Sequence, residues 1–469
     1  MGAETNLPFK PPRENISLLK QIVPTIETAR KVESASVPSL RSIITVNNSN
    51  GRFDRLRGAI PFSDISLSHS PADIGDVGQH VDDIINIQFT SGTTSMPKAA
   101  CLTHRSILNN GFFIGSRMGL TPRDIVCCPP PLFHCFGCIL GYMATATHGA
   151  SIVFPSEAFN PEATLRAVQE EGATALYGVP TMFVAELELL ANGAVPYGGF
   201  EHLRTGIAAG SSVPSTLMKK LHETLNLKGL TICYGMTETS PVSCMTTPDD
   251  PLEKQLNSVG RLLPHVEAKV VSVHDRSEIL PIGEKGELAV SGYLVMKGYW
   301  GDEERTEEVM VVERDKKTGE EKVWMHTGDE ALMDEDGYVK ITGRIKDLII
   351  RGGENIHPLE VENVLFAHSA VSEVSVVGLP DEKYGECVAA FVIVHKGVVV
   401  EDDIQDGVKG TKVLTKAELR TWVRENLSHH LVPKYIFWAT EYPKTASGKI
   451  QKFKLKDEGI RLVAEGKGI

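Results

Sequence analysis

Long apolar runs are missing from this 469-residue sequence: none reaches the roughly 18–20 residues that a helix needs to cross a bilayer. The opening MGAETNLPFKPPRENIS has no apolar centre of the kind a secretory signal carries. An intracellular, cytoplasmic location is expected. Positive charge is short as well. Lys and Arg number 48 against 60 Asp and Glu, a formal charge of −12 that excludes a broadly basic nucleic-acid-binding surface. The eight cysteines are few and irregularly placed, which excludes a disulfide framework. Cys135 and Cys138 form a lone CxxC beside His134, but no second ligand pair stands at zinc spacing. Reduced, partly buried thiols are expected there instead. A Walker phosphate loop is absent too, because the residue directly before Lys98 is Pro97 rather than the glycine that motif needs.

What is present is ordinary globular composition, 42% hydrophobic and 23% charged, with length for two or three domains. Residues 1–80 read as a polar, Pro- and Ser-containing lead-in with one helix over Leu18–Val32 and one short strand over Ile43–Val46. From residue 84 the strand-like runs IINIQF, DIVCCP, ASIVFP and LTICYG alternate with helix-length segments such as Pro161–Glu171 and Pro214–Leu225. That alternation predicts βαβ units and a mainly parallel sheet over 81–255. Short strands (EAKVVSV, GELAVSG, GYVKITG) broken by Gly and Asp predict a small β-rich unit over 256–343, with DKKTGEEK at 315–322 as a solvated loop or hairpin tip. Residues 344–469 carry VSEVSVVGL, CVAAFVIVHKG and a helix over Lys416–Asn426, the pattern of a separate α+β domain in which 397–413 is a loop expansion. The fold class expected is α/β, a large N-terminal domain followed by a small α+β one.

The stretch QFTSGTTSMPKAACLTH (88–104) sets Thr90, Ser91, Gly92, Thr93, Thr94 and Ser95 ahead of Lys98. Hydroxyls and backbone N–H groups in a glycine-containing turn after a strand can nest phosphate oxygens, and the lysine adds charge. Taken alone, the run suits a plain loop equally well. Four more stretches follow: YGMTETS (234–240), HTGD (326–329), GRIKDLIIRGGENIHPLEVE (343–362) and PKTASGKIQK (443–452). Together, in order and spacing, they resemble the signatures of the adenylate-forming, AMP-binding superfamily of acyl-CoA synthetases, peptide-synthetase adenylation domains and luciferases. The resemblance spans about residues 40–455 and is nearest in texture to fatty-acyl and medium-chain acyl-CoA synthetases. Three departures stand out. Ser95 and Ala99 occupy positions where the loop usually has glycine, and 397–413 is longer than expected. Most of the first N-terminal subdomain is missing before the phosphate loop, so 1–80 would be its remnant in a truncated chain, and organellar targeting would have been lost with it.

The resemblance implies that a carboxylate attacks the α-phosphate of ATP to give an acyl-adenylate, whose acyl group then passes to the thiol of coenzyme A. By that resemblance Thr90, Ser91, Gly92, Thr93, Thr94 and Lys98 would grip the β- and γ-phosphates. Tyr234 would pack on adenine, with Gly235, Ala209 and Gly210 beside the nucleotide. Thr237 would contact the α-phosphate and Glu238 would hold Mg2+, a cation content with few protein oxygens plus phosphate and water. Asp329 would take the ribose hydroxyls, Arg344 would assist at ribose or phosphate, and Lys449 would be the catalytic lysine. Lys346 and Asp347 would form the hinge of a mobile C-terminal domain, whose Gly352 and Gly353 would let the pantetheine arm pass close to backbone. Plain alternatives stand beside each: a loop carboxylate for Glu238, turn chemistry for Asp329, a surface ion pair for Arg344, a solvated amine for Lys449 and an ordinary turn for the glycines.

The acyl pocket implied is PLFHCFGCILGYM (131–143) with Tyr177–Pro180, Ala208 and Ala209. It is apolar apart from His134, which belongs with Lys449 and Thr237 at the reacting centre and is expected to pack or gate rather than to transfer protons. No carboxylate around Phe133, His134 and Cys135 pairs an amino-acid ammonium. A medium-chain fatty acid or a polyketide-derived acid of secondary metabolism is therefore expected. Two alternatives remain open: an adenylate former that loads a separate carrier protein, and a truncated, non-catalytic acyl- or nucleotide-binding protein.

Overall fold

The computed structural model describes residues 2, 4–5, 11–49, 56–65, 78–90, 97–210, 213–314, 319–403, 413–445 and 449–469. The chain divides into two compact units, residues 1–80 with 156–160 and residues 81–155 with 161–469. In the first, helix Ile16–Ile22 buries Leu19 in a small cluster with Val23, Ile26, Ile43 and Ala59. This helix stops well short of the expected Leu18–Val32. Pro24 excludes the helical region for the residue before it, and Val23 is accordingly extended, at φ −131° and ψ 87°.

The second unit opens with another correction. IINIQF, expected within the parallel sheet, forms strand Ile84–Thr90 of an antiparallel hairpin with Lys98–Thr103. The connection over 91–97 is too short for a parallel crossover, which needs about a dozen residues or more. Helix His104–Met118 starts directly after the hairpin because Thr103 accepts from the Ser106 N–H at 3.1 Å while the Ser106 hydroxyl accepts from the Thr103 N–H at 3.1 Å.

A seven-stranded sheet forms the body of this unit, ordered Arg261–Leu262, Val242–Met245, Gly229–Gly235, Thr205–Ala208, Ala175–Gly178, Ile125–Cys127 and Ser151–Val153. The last five run parallel and the first two antiparallel. Ala175–Gly178 and Thr205–Ala208 are buried at every position, as central parallel strands covered by helices should be. Helices Pro161–Glu171, Pro180–Ala191 and Ser215–Leu225 supply that cover through Leu165, Val168, Phe183, Leu217 and Leu221.

An antiparallel sheet follows, ordered Val266–Val271, Gly286–Gly292, Glu321–Met333 and Met310–Arg314, with Val339–Arg344 also on Glu321–Met333. Beyond it a smaller α+β region sets Glu354–Ile356, Ile349–Arg351, Gly385–Val394 and Val371–Asp381 side by side, with Tyr435–Trp438 parallel to Gly385–Val394. Helices Pro358–Phe366 and Lys416–Asn426 pack on it through Val361, Leu365, Leu419 and Val423. No helix among the described residues is long and apolar enough to cross a membrane.

Candidate active site

Parallel strands expose unpaired backbone at their carboxyl ends, and loops leaving those ends make the natural crevice of such a sheet. Here a cavity of about 620 Å³ lies against four of them. Pro130, Pro131 and Phe133 follow Ile125–Cys127, Val179 follows Ala175–Gly178, Ala209 and Gly210 follow Thr205–Ala208, and Tyr234 and Gly235 end Gly229–Gly235. Gly235 has to be glycine, because a Cβ there would lie 1.8 Å from the Pro241 carbonyl oxygen. The turn after it, Thr237–Thr239, is held from two sides. The Thr239 hydroxyl donates to the Pro241 carbonyl at 2.8 Å, and buried Asn110 clamps Val242 by accepting from its N–H at 3.1 Å and donating to its carbonyl at 2.8 Å.

The antiparallel sheet supplies the charged wall. Register places Asp329 directly opposite Arg344, and Arg344 Nε lies 3.2 Å from Asp329 Oδ1. The Tyr234 hydroxyl donates to Asp329 Oδ2 at 2.7 Å. Buried Glu287 anchors the HTGD segment, accepting from the Gly328 N–H at 3.1 Å, His326 Nδ1 at 3.0 Å and Arg276 Nε at 3.0 Å. Burial pushes the Glu287 carboxyl up, but His326 and Arg276 outweigh it and hold the group below its usual range. Across the cavity, Lys98 Nζ donates to the Tyr299 hydroxyl at 3.0 Å, which donates in turn to Glu238 Oε1 at 2.7 Å.

Of the residues singled out in the sequence, Thr90, Lys98, His134, Ala209, Gly210, Tyr234, Gly235, Thr237, Glu238, Arg344, Lys346 and Lys449 all line this one cavity. Asp329 joins them through Tyr234 and Arg344. Ser91, Gly92, Thr93 and Thr94 lie outside the described residues. Lys346 and Asp347 form a helical turn, Ile345–Asp347, directly after strand Val339–Arg344. Gly352 and Gly353 do not line the cavity. They make the tip of the hairpin between Ile349–Arg351 and Glu354–Ile356, where φ values of +61° and +88° favour glycine.

The expected acyl pocket needs correcting. Pro131, Phe133, His134, Cys135, Phe136 and Leu140 line the cavity, but Tyr177 and Ala208 do not. Tyr177 is fully buried beneath it, its hydroxyl 3.0 Å from Met118 Sδ. Residues Phe136–Met143 form a π-helix, a rare widened coil, whose Gly141 faces inward so closely that a Cβ would meet Cys128 Sγ at 2.6 Å. Met182 from helix Pro180–Ala191 takes a place in the lining that sequence reasoning missed. Tyr299, Glu287 and Arg276 were missed as well. None of the three lies in a stretch that the sequence marks as a site.

Crowding sets the electrostatics. Close packing of protein around the ammonium, then the Arg344 guanidinium, press Lys449 down to about 8, against the pull of Asp329 and Asp347, although the residue as a whole is exposed to solvent. Burial and then Lys449 lower His134, whose Nδ1 accepts the Phe136 N–H at 3.1 Å. A neutral imidazole with Nδ1 as acceptor carries its proton on Nε2. Burial pushes the Cys135 thiol up to about 12, so it packs against the Thr237 hydroxyl, 3.7 Å away, as a neutral group.

The residues fit a triphosphate. Thr90 Oγ1 is buried without a partner among the described residues, and Lys98, Arg344, Lys346 and Lys449 share one cavity. No group of three or more His, Cys, Asp or Glu among the described residues is placed to cage a metal. Glu238, with only Oε1 engaged, suits Mg2+, which takes one or two carboxylates, substrate phosphates and water.

Known proteins share this architecture. Residues 25–300 match the AMP-binding enzyme family and 360–449 its C-terminal domain. The acyl-CoA ligase sidI of Aspergillus fumigatus is 42% identical over 463 residues, covering 97% of this chain and 74% of that protein. The mitochondrial medium-chain acyl-CoA ligase ACSF2 of Danio rerio is 38% identical over 449 residues, covering 94% of this chain and 69% of that protein. ATP-bound MatB from Rhodopseudomonas palustris superposes with a TM-score of 0.72 at 27% identity, over 89% of this chain and 79% of that one. The chain belongs to the AMP-binding enzyme family of the adenylate-forming superfamily, and its homologues there are acyl-CoA ligases.

Proposed function

We propose that this chain is an ATP-dependent acyl-CoA ligase that activates a medium-chain or polyketide-derived carboxylic acid as its adenylate and passes the acyl group to coenzyme A. One observation carries the reading. A single cavity is lined both by apolar side chains, Phe136, Leu140, Val179 and Met182 among them, and by Thr90, Lys98 and Lys449, which can receive an anion. A medium-chain acid is also what the ACSF2 relative's name specifies for that protein.

In the first half-reaction a carboxylate oxygen attacks the α-phosphorus, the bond to the bridging β-oxygen breaks, and pyrophosphate leaves with that electron pair. Such chemistry rests on positioning and neutralised charge. Lys449 supplies charge to the carboxylate and α-phosphate as they close, Thr237 donates to the α-phosphate, and Asp329 accepts from the ribose hydroxyls. Lys98 and Thr90 hold the outgoing phosphates, and Arg344 fixes Asp329. Mg2+ held by Glu238 would neutralise the phosphate oxygens. His134, neutral and next to the apolar end, gates the acid's carboxyl end. In the second half-reaction the thiol sulfur of coenzyme A attacks the carbonyl, its proton leaves, and AMP departs with the acyl C–O electron pair. The C-terminal domain from residue 344, turning at Lys346–Asp347, would exchange Lys449 for Gly352 and Gly353 between the two steps.

Single-turnover assays of each step test this. Lys449→Ala should suppress pyrophosphate release yet still convert a supplied acyl-adenylate to the thioester. Gly353→Leu should do the reverse, with Gly353→Ala as the control for backbone strain at φ +88°. Equal loss of both steps in both variants, with circular dichroism unchanged, would sink the two-step assignment. Failure with free coenzyme A but success with a pantetheinylated carrier protein would replace the acceptor.

A further inference from the structure

Tyr299 lies in none of the sequence motifs, yet it joins the two ends of the phosphate apparatus. Residues 296–300 run beside strand Lys98–Thr103: Cys101 N–H donates to the Gly298 carbonyl at 3.0 Å, Lys297 N–H to the Cys101 carbonyl at 2.9 Å, and Trp300 N–H to the Ala99 carbonyl at 2.8 Å. The same segment reaches the metal-side turn, since Met296 N–H donates to the Glu238 carbonyl at 2.9 Å. The Thr306 hydroxyl accepts the Tyr299 N–H at 2.9 Å and fixes the residue further. The phenol is 95% buried by its neighbours, at 5% exposure, and has two charged partners, Glu238 Oε1 at 2.7 Å and Lys98 Nζ at 3.0 Å. Lys98 Nζ also lies 4.6 Å from the ring centroid. A hydroxyl placed between a carboxylate and an ammonium donates to the first and accepts from the second.

We propose that Tyr299 is a positioning residue that orients the Glu238 carboxylate for a divalent cation and ties that orientation to Lys98 of the phosphate hairpin. The proposal rests on the assignment of Glu238 and Lys98 above. With Oε1 held by the phenol, Glu238 presents a fixed oxygen to the cation instead of sampling rotamers. Lys98 is held against the phenol until phosphate replaces it. The carboxylate, on the turn Thr237–Thr239, and the ammonium, on strand Lys98–Thr103, are kept at a fixed separation by one hydroxyl.

Tyr299→Phe removes that hydroxyl and little else. The readout is ATP binding by calorimetry, once with Mg2+ and once with EDTA, together with the Mg2+ dependence of pyrophosphate release. A hydrogen bond to a charged group sets the scale, so the Mg2+ concentration for half-maximal release should rise about tenfold or more. The Mg2+-dependent gain in ATP affinity should shrink by a similar factor, while metal-free ATP binding changes by less and the KM for the acid stays unchanged. Thr306→Val, which frees the Tyr299 backbone but keeps the phenol, should shift the Mg2+ constant the same way by less. It also keeps the test open if the phenylalanine variant folds poorly. Wild-type Mg2+ constants in both variants would overturn the proposal. Glu238→Gln separates the two layers: if it leaves Mg2+ dependence intact, the metal assignment itself fails, whereas its impairment beside an unaffected Tyr299→Phe fails only the role of Tyr299.

Discussion

Replacing Asp329 with asparagine keeps the shape of the side chain and removes its charge. Asp329 is 6% exposed, accepts from the Tyr234 hydroxyl at 2.7 Å and faces Arg344 Nε at 3.2 Å. Its orientation is therefore set before any nucleotide arrives, and the substitution changes what the carboxylate offers a ribose more than where it sits. A hydrogen bond to a charged group contributes roughly 1.5–3 kcal/mol, and losing one such bond in the transition state corresponds to about a 10- to 150-fold fall in kcat/KM for ATP. The amide still accepts through its oxygen, so the lower part of that range is expected. Pyrophosphate release measured with ATP, 2′-deoxy-ATP and 3′-deoxy-ATP isolates the ribose contribution. The wild-type chain should prefer the ribonucleotide, and Asp329→Asn should lose most of that preference. If the variant loses the same factor on all three nucleotides, Asp329 acts only through Arg344 and Tyr234, and the ribose assignment is refuted.

Two further outcomes follow from groups with shifted titration. Lys449 is held down to about 8, so kcat/KM for adenylate formation, which reports the free enzyme, should hold to about pH 8 and fall above it as the ammonium deprotonates; Lys449→Arg, charged throughout, should lack the falling limb whatever its absolute rate. Glu186 is fully buried with neither carboxyl oxygen partnered, and burial raises it well above 4.5. A carboxyl raised on folding gives stability that is complete below the unfolded value and is lost as pH climbs toward the folded one, by about 1.4 kcal/mol per pH unit. The thermal midpoint of Glu186→Met should therefore exceed that of the wild type by more at pH 8 than at pH 5, and a pH-independent difference would contradict a neutral Glu186.

The parts of the fold legible in the sequence are those written locally. Pro161–Glu171 and Lys416–Asn426 begin and end where their patterns do, because Pro161 opens the first helix and the Thr415 side chain caps the second. Strand pairing was less legible. IINIQF has the composition of a buried parallel strand, and only the short return through 91–97 sends it to an antiparallel partner. The π-helix at Phe136–Met143 has no signature of its own, since its apolar residues suit any buried helix. The candidate site shows the same division. Its motif residues could be found singly, but Glu287 with His326 and Arg276, or Tyr299 with Glu238 and Lys98, are pairings between segments distant in sequence that no spacing records.

Among the described residues Lys98, Arg276, Arg344, Lys346 and Lys449 line the cavity, inside a chain of net charge −12. A polyanionic nucleotide far from the molecule meets repulsion, and only near the cavity mouth does it enter an attractive field. Salt screens the longer interaction first, because the Debye length shrinks to about 8 Å at physiological ionic strength while contacts within the cavity are shorter. Added salt should thus speed nucleotide association when starting from very dilute buffer and slow it at higher concentration. These cationic side chains within one small volume thereby give the protein an optimum ionic strength for capture.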